Sequence, residues 1–182
     1  MSTRITFFVH GTTADNERRI SSGWKDVGLS ERGVKQAAQL KRHGEGAKFA
    51  VVFCSDLKRA HEFARLVWQG TCPIIPDARL RECNYGELNG APSDIVEPMQ
   101  ANGDVTTRFA GGESYEDVKA RIADFLKFLK KDYEGKNVAV VAHKAPQLAL
   151  DVLLGGKSWE QALAEDWRKS AAWRPGWEYN LQ

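Results

Sequence analysis

Two short apolar runs, each ending in a histidine, constrain this chain more than any other feature. Ile5-Thr6-Phe7-Phe8-Val9 leads into His10-Gly11, and Val138-Ala139-Val140-Val141-Ala142 leads into His143. Such runs, rich in β-branched and aromatic residues, read as strands covered on both faces, as in a parallel sheet. Open α/β sheets gather their sites at the carboxyl ends of strands, where both histidines would lie. If the two strands are neighbours, the imidazoles stand side by side.

The remaining sequence alternates strand and helix signals. Ser30 is a good N-cap for a helix from Glu31 to about Arg42 that turns Val34, Ala37, Ala38 and Leu40 inward and stops at Gly44 and Gly46. Ala50-Val51-Val52-Phe53 is a further buried strand. Ser55 is expected to cap a helix with Leu57, Ala60, Ala64, Val67 and Trp68 on its apolar face and Arg59 in its first turn. Pro73-Ile74-Ile75-Pro76 can only be a short edge strand, since proline donates nothing to a ladder. Residues 91–112 have weak periodicity and read as a surface excursion, with room for one short helical turn, that could cover a site. Ser114 with Asp117 opens a helix carrying Tyr115, Val118, Ile122, Phe125, Leu126 and Leu129 on one stripe. Pro146 suits the first turn of a helix over Gln147 to Leu154, stopped by Gly155-Gly156. Ser158 with Gln161 caps a last helix to about Lys169, with Trp159, Leu163 and Trp167 on one side. Residues 158–182 form a tryptophan-rich C-terminal extension, and from Trp173 to Gln182 no period is evident. The expected fold is α/β, a single three-layer domain over residues 1–182 with a mostly parallel central sheet and helices on both faces.

Composition excludes several classes. The 182 residues suffice for one well-filled core, and the formal net charge of +2 gives no global field to attract nucleic acid or a membrane. Three cysteines without metal-ligand spacing suggest free thiols in a reducing, cytoplasmic setting. The first residues are too short an apolar run for a signal peptide. No metal or other cofactor is expected, because His43 and His61 lie on predicted helices without ligand partners.

His10, His143 and Arg59 all fall at predicted strand ends. Imidazoles and a guanidinium together suit a phosphoryl group: arginine offers a planar fork to its oxygens, and a neutral imidazole can attack phosphorus. Here the chain resembles the histidine phosphatase superfamily, in its phosphoglycerate mutase-like branch. His10-Gly11-Thr12-Thr13-Ala14-Asp15-Asn16 looks like the signature of that family. Gly23-Trp24-Lys25-Asp26, Leu29-Ser30-Glu31-Arg32-Gly33, Ser55-Asp56-Leu57-Lys58-Arg59-Ala60, Leu80-Arg81-Glu82, Gly112-Glu113-Ser114 and Val140-Val141-Ala142-His143 follow in the family's order. The resemblance covers about residues 4 to 154.

The resemblance implies roles for particular positions. His10 would be the nucleophile that becomes phosphorylated. Arg59, His143, Asn16 and Gly11 would surround the phosphoryl oxygens. Glu82 would protonate the leaving oxygen and then activate water; on residue type alone it reads as a solvated loop carboxylate. Two positions depart from the pattern: Val9 stands where the family has arginine, and Thr12 where it has glutamate. Losing one preorganised donor costs roughly 10²–10³ in rate. Lys144 is the candidate replacement, placed at a helix N-terminus where the macrodipole disfavours a cation; the alternative is an exposed lysine pointing into water. Arg18, Arg19, Arg79 and Arg81 are weaker substitutes.

The implied function is hydrolysis of a small phosphorylated metabolite by a monomer or homodimer. A weakly active or non-catalytic phosphate- or phosphopeptide-binding module is the alternative from another class. Phosphoglycerate mutase ranks lower, because the segment between Glu82 and Gly112 is modest.

Overall fold

The computed structural model describes residues 2–43, 48–101, 104–170 and 176–182. In chain order the first half comprises β1 (Thr3–Val9), α1 (Ala14–Glu17), β2 (Ile20–Ser21), α2 (Glu31–His43), β3 (Val51–Cys54), α3 (Lys58–Trp68) and β4 (Ile74–Pro76). The second half adds β5 (Ala91–Pro92), α4 (Ser93–Ala101), α5 (Tyr115–Asp132), β6 (Asn137–Ala142), α6 (Lys144–Leu153), α7 (Trp159–Ala164) and β7 (Trp177–Leu181). A five-stranded sheet in the order β4-β3-β6-β1-β7 forms the centre. Its β1, β3, β4 and β6 run parallel, and β7 pairs antiparallel with β1. The histidine-ending strands are therefore neighbours, with Val9 opposite Ala142.

The sheet is covered on both faces, as its unbroken apolar strands require. Ile5, Phe7, Val9, Phe53, Val138 and Val140 pack with the α5 stripe, Ala145 and Leu150. Phe8, Val52, Cys54, Ala139 and Val141 pack with Ala37 and Leu40 of α2 and Ala60, Phe63 and Val67 of α3. Helix α5 begins where Ser114 and Asp117 form a reciprocal capping box, and all of its expected apolar residues are buried. Ser158 and Gln161 form the corresponding box on α7.

Several local expectations are revised. Ser55 does not cap α3; Leu57 occupies that position, and the Ser55 hydroxyl accepts instead from the Leu57 N–H (3.3 Å). The buried side of α2 is Gly33, Gln36, Ala37 and Leu40, whereas Val34 and Ala38 are exposed. The phase is set by the loop after β1: a Cβ on Gly11 would stand 2.7 Å from the Gly33 carbonyl oxygen, so the two backbones touch only as glycines. The excursion is more ordered than one turn, with β5 pairing to β2 and nine residues in α4. Helix α6 starts at Lys144, one turn earlier than expected, and α7 ends at Ala164 with Trp167–Ser170 as a separate 3₁₀ turn. The tail does have a period: Trp177, Tyr179 and Leu181 are buried and Glu178 and Asn180 exposed, the alternation of an edge strand with one covered face. Gly44, Gly46 and Trp173 lie outside the described residues.

Candidate active site

The ends of β1 and β6 bring the rings of His10 and His143 to a centroid separation of 4.9 Å, edge to face. The Nδ1 of His10 lies 2.7 Å from the Gly11 carbonyl, a bond in which Nδ1 carries the proton. The other nitrogen, Nε2, keeps its lone pair and accepts from Nε of Arg59 at 3.3 Å. Arg59 enters from the first turn of α3 and is 3% exposed. Its terminal nitrogens donate to the carbonyls of Lys25 (3.0 Å) and Gly23 (2.8 Å), which fixes the guanidinium plane. Burial, reinforced by the Arg59 charge, pushes His10 down to about 3 from an ordinary 6.5, against the bond to Gly11. Burial and the same arginine hold His143 well below its ordinary value. Both imidazoles are thus neutral at physiological pH. Neither ring nitrogen of the buried His143 has a hydrogen-bond partner among the described residues. A buried polar ring without partners is rare and points to a group that the protein does not itself supply.

Glu82 is not a solvated loop carboxylate. It is 9% exposed and accepts from the N–H groups of Cys83 (2.8 Å), Lys144 (3.2 Å) and Ala145 (3.0 Å). The last two are free donors at the N-terminus of α6, where an anion is favoured. His143 caps that same helix, so one helix end positions both groups.

His10 and Glu82 open into a cleft of about 390 Å³. Asn16 lies on its wall; its side-chain oxygen accepts from the Thr13 N–H (3.0 Å) in the α1 capping box. Gly11 is buried and is not among the residues that line the cleft. Val9 and Thr12 also line the cleft, and Gln36 accepts from both the N–H (2.8 Å) and the hydroxyl (3.1 Å) of Thr12.

Lys144 lines the cleft as well, but it does not point into water. It is 7% exposed and its Nζ lies 3.3 Å from Asp166, itself buried. Burial and the neighbouring Arg168 lower the lysine, against the pull of Asp166 and Glu82. Arg168 spans Asp166 (3.1 Å) and Glu97 of α4 (3.3 Å). This chain of ion pairs joins the segment after α7 to the excursion across the cleft. The weaker basic candidates divide. Arg18 is held by Asp15, Arg79 by Asp77 and Asp124, and Arg81 by Asp56. Only Arg19 among them lines the cleft.

Arg32, Glu97 and Arg168 are cleft residues that the sequence did not single out as site residues. Arg32 shares a helix face with Gln36, one turn on, and that spacing was a usable signal. No local signal marks Glu97 or Arg168. A larger groove of about 590 Å³ on the outer side of α3, between Lys41 and Gln69, contains none of the strand-end residues.

The model for the histidine phosphatase superfamily (branch 1) matches residues 5–173. The chain belongs to this family. A 2,3-bisphosphoglycerate-dependent phosphoglycerate mutase from Methylobacterium radiotolerans is 34% identical over 164 residues, covering 81% of this chain and 76% of the relative. The fructose-2,6-bisphosphatase TIGAR of Xenopus tropicalis is 36% identical over 134 residues, covering 69% of this chain but 49% of that protein. Among solved structures, a mycobacterial glucosyl-3-phosphoglycerate phosphatase in complex with VO3 superposes with a TM-score of 0.80 at 27% identity, over 88% of this chain and 86% of that one. The superfamily thus surrounds this chain with both phosphatases and mutases, and its three-layer α/β fold is the one seen here.

Proposed function

We propose that this protein hydrolyses a small phosphomonoester through a phosphohistidine at His10. The observation that carries the reading is the convergence of a neutral His10 whose Nε2 lone pair faces Arg59 with a buried His143 that lacks any protein partner. Nε2 attacks phosphorus while the ester P–O bond breaks, and the departing oxygen takes a proton from Glu82. The Glu82 carboxylate then takes a proton from water, whose oxygen attacks phosphorus. The P–N bond breaks and its electron pair returns to Nε2. Arg59 and His143 hold the equatorial oxygens, with Asn16 and the Gly11 backbone beside them. Lys144 supplies positive charge near the position where Val9 replaces the family's arginine; Asp166 fixes its place.

A cleft of this volume suits a metabolite rather than a folded protein surface. The mechanism places all transferring charge on side chains of this chain, so the reaction requires no metal. The test is phosphate release from an aryl phosphate and a panel of small esters with chelator present, comparing the native protein with His10→Ala. Turnover that survives chelator and disappears in the variant is expected. Binding of vanadate or phosphate without any turnover would instead favour the binding-module reading, and phosphoryl transfer between two acceptors would favour a mutase.

A further inference from the structure

Resting on that hydrolase reading for the scissile group, we propose that Arg19 and Arg32 form a second anion subsite. It selects phosphomonoesters bearing another negative group, carboxylate or phosphoryl. Both arginines line the same cleft as His10 and Glu82. Neither has a carboxylate within ion-pair distance among the described residues. The acidic residues of the cleft are already committed: Glu82 to backbone N–H groups and Glu97 to Arg168. Both are exposed at the mouth of the cleft, so two cations border it without counter-charge and can close on an anion that enters.

Their placement is built rather than incidental. Arg19 has a φ of 56°, the only non-glycine residue with positive φ among those described. Its N–H donates to Asn16 (3.1 Å) and its carbonyl accepts from Ser93 at the start of α4 (2.8 Å), so the strained turn is tied to both cleft walls. Arg32 lies in the first turn of α2, where the helix dipole disfavours a cation and favours an anion. Gln36, one turn on, bonds to Thr12 beside the nucleophile, so this face of α2 looks into the cleft. The scissile phosphoryl occupies the His10, Arg59 and His143 side, which leaves Arg19 and Arg32 for a different group of the same molecule. Guanidinium forks bind carboxylate or phosphoryl oxygens in pairs.

The decisive quantity is a ratio. The kcat/KM for 3-phosphoglycerate is measured against glycerol 3-phosphate, and that for propane-1,3-diol bisphosphate against propyl phosphate, with native protein and with R19Q/R32Q. In the native protein the anion-bearing ester is expected to be favoured at least tenfold in one or both pairs, and the pair shows whether carboxylate or phosphoryl is the source. In the double variant the preference falls about tenfold. A native ratio near one, or a ratio that survives the double substitution, overturns the subsite. If no ester is turned over, the hydrolase reading fails by itself. The subsite is then decided by calorimetry with phosphonoacetate against methylphosphonate: a preference for phosphonoacetate that R19Q/R32Q abolishes supports it, and equal binding overturns it.

Discussion

At the scale of single residues, the site depends on where protons reside. The Nδ1–H bond of His10 to Gly11 leaves Nε2 unprotonated, and the low basicity of the ring keeps it so in mild acid. Glu82 is the residue whose role is easiest to isolate. Glu82→Gln keeps an oxygen to accept from the α6 N–H groups but cannot carry the proton. Proton transfer by a placed group is worth roughly 10²–10⁴ in rate. With an aryl phosphate, whose leaving oxygen needs little protonation, the first step should survive while hydrolysis of the phosphoenzyme slows. The expected result is a burst of about one phenolate per chain, followed by turnover reduced at least 10²-fold; linear release without a burst would remove Glu82 from the second step. The position of Arg19 in the left-handed region costs about 1–3 kcal/mol, a strain kept where the chain turns into the cleft.

At the scale of elements, two contacts hold the cleft from behind. Gly11 against Gly33 seats α2 on the loop after β1. Edge strand β7 seats α6: the Tyr179 hydroxyl donates to Asp151 (2.6 Å) and accepts from Gln147 (3.1 Å), both on α6. Asp151 and Gln147 are buried, so Tyr179→Phe leaves polar atoms unsatisfied at a cost of ~1–3 kcal/mol. Tm should fall by several degrees, since ~1 kcal/mol moves a domain of this size about 2–4 °C. An unchanged Tm by calorimetry would show that β7 contributes only its apolar face. The helix α4 and the Trp167–Ser170 turn close the other side through Glu97 and Arg168.

At the scale of the whole molecule, the two lowered imidazoles make folding depend on pH. The unfolded chain binds protons at both histidines below about pH 6.5, while the folded protein resists doing so down to about 3 at His10. The unfolded state then holds more protons, so the stability is fully present above about 6.5 and is lost as pH falls. Tm is expected to drop between pH 6.5 and 4.5 and to drop less steeply in His10→Asn. Equal slopes would mean that His10 is protonated in the folded state. The window stops there because Asp117, held to about 2 by Arg108 and the Ser114 N–H, adds a loss of the same sign at lower pH. No helix among the described residues is long and apolar enough to cross a membrane.

The parallel core, the histidine-ended strands, the capping boxes of α5 and α7 and the buried stripe of α5 could all be read from the chain, because each depends on residues within a few positions of one another. The same locality explains the errors. The phase of α2 was misread by taking Val34 inward, since the polar Gln36 is buried only because Thr12 lies against it. The alternation of Trp177, Tyr179 and Leu181 was present but short, and only the open edge of β1 makes it a strand. What tertiary structure alone decided is which charges meet. Lys144 and Asp166, or Arg168 and Glu97, are far apart in sequence and close only because the strand order and the excursion bring their elements to one sheet end. Periodicity encodes which side of an element is buried, but not what it faces. The pair of histidine-ended strands was therefore legible in the sequence, while the cradle of Glu82 and the uncommitted arginines became visible only in the folded molecule.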